Sequence, residues 1–230
     1  NMKKIIIGVL IIVAVVLTVV GVFYFDKNSS QPTSKEIVKI GAIFPLTGDK
    51  SAYGISMKNA IEIAIDEINN RQLGGDRQIK VIFQDSHGLP KDSVSSFYNM
   101  LAAKIPLVIG PMSSSEMLSI APIAEKEKVV ILSPSASSPA ITDAGDFIFR
   151  IAPSDSYEGT MIATFITEHL KLSRVGIIFN NSEYGIGIVN KFKNKFTASG
   201  GRVLISESYS EGALDFRTQL SKIKKTNPEA

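Results

Sequence analysis

From residue 37 onward, the chain alternates short runs of strand-forming residues with segments whose apolar side chains recur every three or four positions. The run "IVKIGAIF" at 37–44 is rich in Ile and Val, and the apolar residues between Met57 and Ile68 repeat at helical spacing. Strands that are apolar along most of their length, each followed by a helix, are typical of parallel sheets covered on both faces. The alternation therefore predicts an α/β fold.

The same patterns predict six further strands and five further helices. The strands are expected at 79–84, 106–110, 129–133, 147–151, 174–180 and 202–209. The helices are expected around 94–101, after 115, and at 161–170, 188–196 and 216–223. We expect the helix after the serines to be interrupted near Pro122. We expect Asp155 to cap the helix that follows it, with Glu158 completing a capping box.

The alternation is divided near 152–156 and then starts again. This division predicts a first lobe at 37–153 and a partial second lobe at 154–230. The second lobe has two clear strands and ends on a helix, an arrangement that covers a sheet poorly. We therefore expect the chain to stop inside its second lobe, with at least one more strand to follow.

An uncharged stretch of 21 residues, 5–25, precedes the alternating region. As a helix it would extend about 31 Å, which matches the hydrocarbon thickness of a bilayer. Two lysines before it place residues 1–4 in the cytoplasm and everything after Phe25 outside. The stretch exceeds the apolar core of a secretory signal and lacks a small-residue cleavage site, so we favour an uncleaved anchor, with a cleaved signal as the alternative. The polar segment at 26–36 is interpreted as a linker.

Composition excludes several classes of partner. The formal net charge is +3, and the part of the chain after residue 36 holds 21 basic and 20 acidic residues. No run rich in lysine and arginine stands out there, so no nucleic-acid partner is predicted. The chain has no cysteine, which excludes disulfides, thiolate metal sites and a cysteine nucleophile. We expect neither a metal nor a cofactor.

Catalysis finds little support in the sequence. His87 and His169 are the only imidazole groups; His87 lies in a polar loop, and His169 lies late on a predicted helix, where it can interact with the helix dipole. No G-x-S-x-G, P-loop or H-E-x-x-H sequence occurs. We therefore predict that the protein is not an enzyme.

Serine-rich segments follow two neighbouring predicted strands, "PMSSSEM" after one and "SPSASSPAIT" after the next. Adjacent parallel strands would bring both segments to the same edge of the sheet, where open α/β sheets bind ligands. Hydroxyl and main-chain N–H groups that converge there would suit a carboxylate. The structural alternatives are a capping box between Ser113 and Glu116, and a turn made rigid by Pro134 and Pro139.

Five blocks occur along the chain in order: "IVKIGAIFPLTGDKSAYGISMKNAIEIAIDEIN", "LVIGPMSSS", "ILSPSASSPAIT", "FRIAPSD" and "NNSEYGIG". Together they resemble the leucine/isoleucine/valine-binding-protein family, the type 1 periplasmic solute-binding proteins of branched-chain amino acid ABC transporters. The resemblance runs almost unbroken from Ile37 to Ala230. It implies two Rossmann-like lobes that are joined by three crossovers and close on a ligand. Only the first crossover is present here.

The resemblance implies a carboxylate site built from serines. Ser114 matches the family's serine that binds the α-carboxylate of the ligand. Ser135 matches a residue whose main chain contacts the ligand. Ser137 stands where threonine is common, so that the hydroxyl is kept.

The resemblance also implies residues on the other sides of the ligand. Tyr53 matches the aromatic position that covers the ligand from the first lobe, and Tyr184 the one from the second. Asp155 could assist the ligand's ammonium group, with a helix cap as the alternative role. One departure is Leu89, where the family usually has an acidic residue before proline.

The function implied is that of an extracytoplasmic receptor, held at the membrane by 5–25 or secreted, that delivers an aliphatic amino acid to an ABC transporter permease. We expect it to act as a monomer. The carboxylate that pairs with the ammonium is expected beyond Ala230, so a binder of another small carboxylate or amide is an alternative. A second alternative is the ligand-binding ectodomain of a membrane sensor, because a membrane anchor would suit a sensor as well as a transport receptor.

Overall fold

The computed structural model describes residues 35–230 together with Ala14, Leu17 and Thr18. The predicted membrane segment at 5–25 and the linker at 26–36 therefore lie almost entirely outside the described residues. Among the residues that are described, none belongs to a helix with the length and apolar character needed to cross a bilayer. Residues 37–230 form one compact unit.

Strands and helices alternate throughout this unit, as the sequence predicts. The strands are β1 (Glu36–Phe44), β2 (Arg77–Asp85), β3 (Leu107–Ile109), β4 (Val130–Ser133), β5 (Ile148–Arg150), β6 (Arg174–Asn180) and β7 (Arg202–Tyr209). The helices are α1 (Ser51–Asn70), α2 (Pro90–Ala102), α3 (Ser114–Glu127), α4 (Asp155–Thr164), α5 (Glu183–Ala198) and α6 (Arg217–Lys225). A 3-10 turn covers Pro139–Asp143, and a π-helical segment, Phe165–His169, continues α4.

The strands form two sheets. The larger sheet has the order β2-β1-β3-β4-β5, and the smaller one pairs β6 with β7. The pairs β1–β3, β3–β4, β4–β5 and β6–β7 are parallel. In the larger sheet Ile109 lies opposite Leu132, so β3 and β4 end side by side. The predicted α/β fold with parallel sheets is thus confirmed.

Each sheet carries its own apolar core. The larger cluster packs the apolar residues of β1, β3 and β4 against α2 and α3; its fully buried members include Ile43, Phe97, Met100, Val108, Met117, Ile120 and Ile131. The smaller cluster consists of Ala163, Val175, Phe192 and Phe196. Burial of these side chains, at about 1.5–3 kcal/mol for each large one, fixes the strand ends from which the loops emerge.

Two local predictions are wrong. Helix α3 is continuous through Pro122, because Ile120, Ala121 and Ala124 are buried and hold the helix against the core despite the missing N–H. The N-terminus of α4 is capped by Ser154 and not by Asp155. The Ser154 hydroxyl accepts a hydrogen bond from the Ser156 N–H, which makes Asp155 the first helical residue.

Candidate functional site

A cleft of about 720 Å³ lies among the loops that follow β1, β2, β3, β4, β6 and β7. Ligands of open α/β sheets bind at such carboxyl-terminal strand ends. Five of the six predicted ligand residues line this cleft: Tyr53, Ser114, Ser135, Ser137 and Tyr184. The sixth, Asp155, is not among the lining residues. The cleft therefore brings together predicted ligand residues as far apart in the sequence as Tyr53 and Tyr184.

The N-terminus of α3 is organised by a capping box. The Ser113 hydroxyl oxygen accepts a hydrogen bond from the Glu116 N–H at 3.3 Å, and the Glu116 carboxylate accepts one from the Ser113 N–H at 3.2 Å. Glu116 is fully buried and also accepts a hydrogen bond from Ser93 of α2 at 3.0 Å. The predicted capping role of Ser113 is thus confirmed. The side chains of Ser114 and Ser115 take no part in this cap.

Ser114 joins the ends of β3 and β4. Its hydroxyl oxygen accepts hydrogen bonds from the main-chain N–H groups of Ser137 at 3.2 Å and Ser138 at 3.1 Å. A hydroxyl has two acceptor lone pairs and one proton, so these bonds leave the proton to be donated. No acceptor for that proton is found in the described part of the chain.

The first turn of α3 adds main-chain donors at the same place. The N–H groups of Ser114 and Ser115 occupy the first two helical positions, which have no acceptor inside a helix. They lie at the positive end of the helix dipole, where a negative charge is stabilised by about 0.3–1 kcal/mol. Three donors, two main-chain N–H groups and one hydroxyl, are therefore available without a formal positive charge.

The loop after β4 is tied to the loop after β3. The Ser133 hydroxyl donates to the Pro111 carbonyl at 2.6 Å, and the Ser135 hydroxyl donates to the Met112 carbonyl at 2.7 Å. The Ser135 side chain is thus used within the protein, which agrees with a main-chain role for this residue toward a ligand. Ser137 completes the loop, and its carbonyl accepts a hydrogen bond from the Asp155 N–H at 3.0 Å.

Sequence reasoning missed Arg150, which supports the same loop. Its Nη1 atom donates to the carbonyls of Ser137 at 3.0 Å and Ser138 at 2.6 Å, and its Nη2 donates to Thr142 at 2.7 Å. Arg150 lies opposite Ser133 in the β4–β5 pairing. A basic residue at the end of the strand next to a serine-rich strand end is the signal that could have revealed it.

Asp155 lies behind the serine loop. The residue is 4% exposed, and its Oδ2 atom has no hydrogen-bond partner among the described residues. Burial raises the pKa of this carboxyl, while a hydrogen bond from Ser137 opposes the increase. The nearby charge of Glu158 raises the pKa further, and that of Arg150 lowers it. A buried carboxylate without a full set of partners is costly, and functional sites often contain such groups.

Aromatic residues line the cleft from both sheets. Tyr53 lies in the first turn of α1 and Tyr184 in the first turn of α5. Burial raises the pKa of the Tyr184 phenol, and the charges of Glu158 and Asp155 raise it further. Tyr209, at the end of β7, also lines the cleft and was missed by sequence reasoning.

The basic side chains at the cleft and its supporting loop are already engaged within the protein. Lys50 and Arg150 are the basic residues at the cleft and its supporting loop; Lys50 pairs with Glu211, and Arg150 binds carbonyls. An anion would thus meet neutral donors.

His87 lies outside the cleft lining, half-exposed between Asp85 and Asp92. Residues 35–230 contain no cluster of three or more potential metal-binding side chains.

Curated relatives of this chain are solute-binding proteins. A Leu/Ile/Val-binding protein, BraC3, of Rhizobium johnstonii is 30% identical over 196 residues, which cover 84% of this chain and 53% of that protein. The leucine-, isoleucine-, valine-, threonine- and alanine-binding protein of Pseudomonas aeruginosa is 28% identical, over 86% of this chain and 53% of that protein. The chain spans about half the length of the curated relatives it matches.

Solved structures give the same result. The leucine-binding protein LivK of Thermotoga maritima superposes with a TM-score of 0.73 at 30% identity, over 83% of this chain and 54% of that one. A second structure is that of LivJ of Streptococcus pneumoniae, a branched-chain amino acid transporter substrate-binding protein solved with isoleucine. It superposes with a TM-score of 0.71 at 30% identity, over 82% of this chain and 54% of that one.

A family model described as "Periplasmic binding protein" matches residues 37–230, the whole of the compact unit. Proteins of this family are extracytoplasmic and bind solutes, and they are not enzymes. The family-model match, the fold and these relatives together show that the chain belongs to the periplasmic binding protein family.

Proposed function

We propose that this protein is a receptor for a small amino acid with an aliphatic, branched side chain, which it delivers to the permease of an ABC importer. The observation that carries the proposal is the hydroxyl of Ser114, whose oxygen is held by two N–H groups and whose proton is left for a ligand. The names of the relatives support it, since they are described as binding leucine, isoleucine and valine.

The ligand's carboxylate is assigned to the ends of β3 and β4. The Ser114 hydroxyl and the N–H groups of Ser114 and Ser115 donate to it. The Ser137 hydroxyl donates to Asp155 and would have to exchange that hydrogen bond to reach the ligand. Hydrogen bonds to an ionised acceptor are shorter and about twice as strong as neutral ones. Neutral donors suit a single negative charge that the ligand balances with its own ammonium.

The ammonium is assigned to the side of the cleft nearest Asp155. Asp155 does not line the cleft, but once its carboxyl is ionised, its buried negative charge behind the serine loop would attract the ammonium electrostatically. The Ser135 carbonyl is a second acceptor from the same loop. Tyr53 and Tyr184 cover the ligand from opposite sides, and their ring faces exclude water and contact its apolar part.

Binding is completed by closure of the two sheet-bearing lobes, predicted at 37–153 and 154–230. Hinge closure removes water from the cleft and strengthens the charge-assisted hydrogen bonds made there. We expect a micromolar dissociation constant, equivalent to about −8 kcal/mol. The segment at 5–25 holds this monomeric receptor at the outer face of the membrane.

Calorimetric titration of the complete natural chain tests the proposal. L-Leucine, L-isoleucine and L-valine should bind, and 3-methylbutylamine, which has the side chain and amine of leucine without its carboxylate, should not. If the amine binds as tightly as leucine, the carboxylate assignment is wrong. If neither these amino acids nor other small carboxylates bind, the receptor function is wrong.

A further inference from the structure

A salt bridge crosses the cleft and joins the loops of the two sheets. The Nζ atom of Lys50 lies 2.7 Å from Oε1 of Glu211, and both residues line the cleft. Lys50 precedes α1 in the loop after β1, and Glu211 follows the end of β7 by two residues. It is the only salt bridge among the described residues that connects a residue before 154 with one after it.

The lysine is directed toward its partner by packing. Its side chain is only 21% exposed, whereas that of Glu211 is 62% exposed. A Cβ atom placed on Gly88 would lie 2.9 Å from Cδ of Lys50, so the lysine stem packs directly over the glycine. This contact limits the rotamers of Lys50 and reduces the entropy lost when the ion pair forms.

A second, neutral contact crosses the same cleft. The N–H of Glu183, the first residue of α5, donates to the hydroxyl oxygen of Ser115 at 3.3 Å. Opening of the cleft by rotation of one sheet away from the other would break both contacts. The hydrogen bond can be replaced by water at little cost, while the ion pair loses its Coulomb attraction when its charges separate.

We propose that the Lys50–Glu211 pair is a latch that favours the closed cleft and slows release of the ligand. The inference rests on the proposed function, because it assigns ligand release to opening of this cleft. Loss of either charge should raise koff of L-leucine by about two- to fivefold, the range expected for a partly exposed ion pair, with little change in kon. High salt should remove most of the difference.

The test uses four variants of the complete natural chain: Lys50→Met, Glu211→Gln, the charge exchange of Lys50→Glu with Glu211→Lys, and the control Lys58→Met. Lys58 is on α1, and its partner Glu62 is one turn away on the same helix, at 3.6 Å. Stopped-flow fluorescence gives koff for L-leucine, and small-angle X-ray scattering gives the radius of gyration without ligand.

The latch predicts a faster koff and a larger ligand-free radius of gyration for both single variants at low salt, with recovery in the charge exchange. The idea is overturned if both single variants match the parent and Lys58→Met in rate and radius. If the parent binds no amino acid, the proposed function fails, and the scattering comparison alone then decides whether the pair holds the cleft closed.

Discussion

The hydroxyl oxygen of Ser114 lies 3.2 Å from the main-chain nitrogen of Ser137, at the point where β3 and β4 end side by side. The two serine-rich segments are therefore parts of one structure. The bond fixes the direction of the Ser114 hydroxyl and leaves its proton unused within the described residues. This contact, together with the N–H groups in the first turn of α3, supports the proposed site for a small anion.

Glu116→Gln should destabilise the protein by about 1–3 kcal/mol. The buried carboxylate accepts hydrogen bonds from Ser93 and from both the N–H and the hydroxyl of Ser113. An amide would turn an NH₂ group toward one of these donors and leave it unpaired. Urea denaturation measures the change. Glu127→Gln, at the exposed end of the same helix, is the control and should have almost no effect.

Gly110→Ala should cost about 3 kcal/mol or more. Gly110 has φ +101°, and a Cβ atom there would lie 2.2 Å from the carbonyl oxygen of Ile43 in β1. The control is Gly200→Ala, because Gly200 has φ +85° and no atom within 4 Å of an added Cβ. It should cost only the conformational penalty of about 1 kcal/mol. Equal unfolding free energies for the two variants would show that the contact with β1 is not tight.

The fold follows from the sequence largely because apolar strands and helical faces have different periods. The boundaries of β6 and β7 agree with those predicted, since both strands are bounded by polar residues and glycine. The continuity of α3 through Pro122 could not be predicted, because it depends on burial of neighbouring side chains in the core. The cap at Ser154 was missed for a similar reason: Ser154 and Asp155 are both good capping residues, and only backbone geometry distinguishes them.

The site was predictable where it depends on strand ends and unpredictable where it depends on distant partners. The order of β3 and β4 in the sheet brings Ser114 to Ser137, and adjacency of consecutive strands is a general tendency. The position of Arg150 under the serine loop and the pairing of Lys50 with Glu211 require tertiary structure. The roles of the predicted ligand residues stay predictions until binding is measured.

Asp155→Asn should change the pH dependence of stability. Because burial raises the pKa of Asp155 above its ordinary value of 3.8, the fold favours the protonated carboxyl. The stability that the protonated Asp155 carboxyl contributes is fully present below pH 3.8, and it is lost as the pH rises through the raised pKa of the folded state. The variant should therefore lose less stability than the parent between acidic and neutral pH, as urea midpoints would show. Parallel pH curves for parent and variant would contradict this.

The same variant separates stability from binding at Asp155. If the carboxylate faces the ammonium of the ligand, Asp155→Asn should bind L-leucine more weakly while it is at least as stable as the parent at neutral pH. Asp215→Asn is a control with the opposite pH behaviour, because hydrogen bonds from Arg217 lower the pKa of this exposed carboxyl. Unchanged leucine affinity in Asp155→Asn would limit Asp155 to a structural role.

The most direct test is calorimetric titration of L-leucine into the Ser114→Ala variant of the complete natural chain. The control is Ser119→Ala, whose hydroxyl donates within the same helix to the Glu116 carbonyl. A thermal melt of each sample shows that the variants are folded. We predict that Ser114→Ala binds leucine about 10- to 100-fold more weakly than the parent, because the hydroxyl donor is lost and two N–H groups are left unpaired. A folded Ser114→Ala variant with the affinity of the parent and of Ser119→Ala would contradict the assignment of the carboxylate to this site.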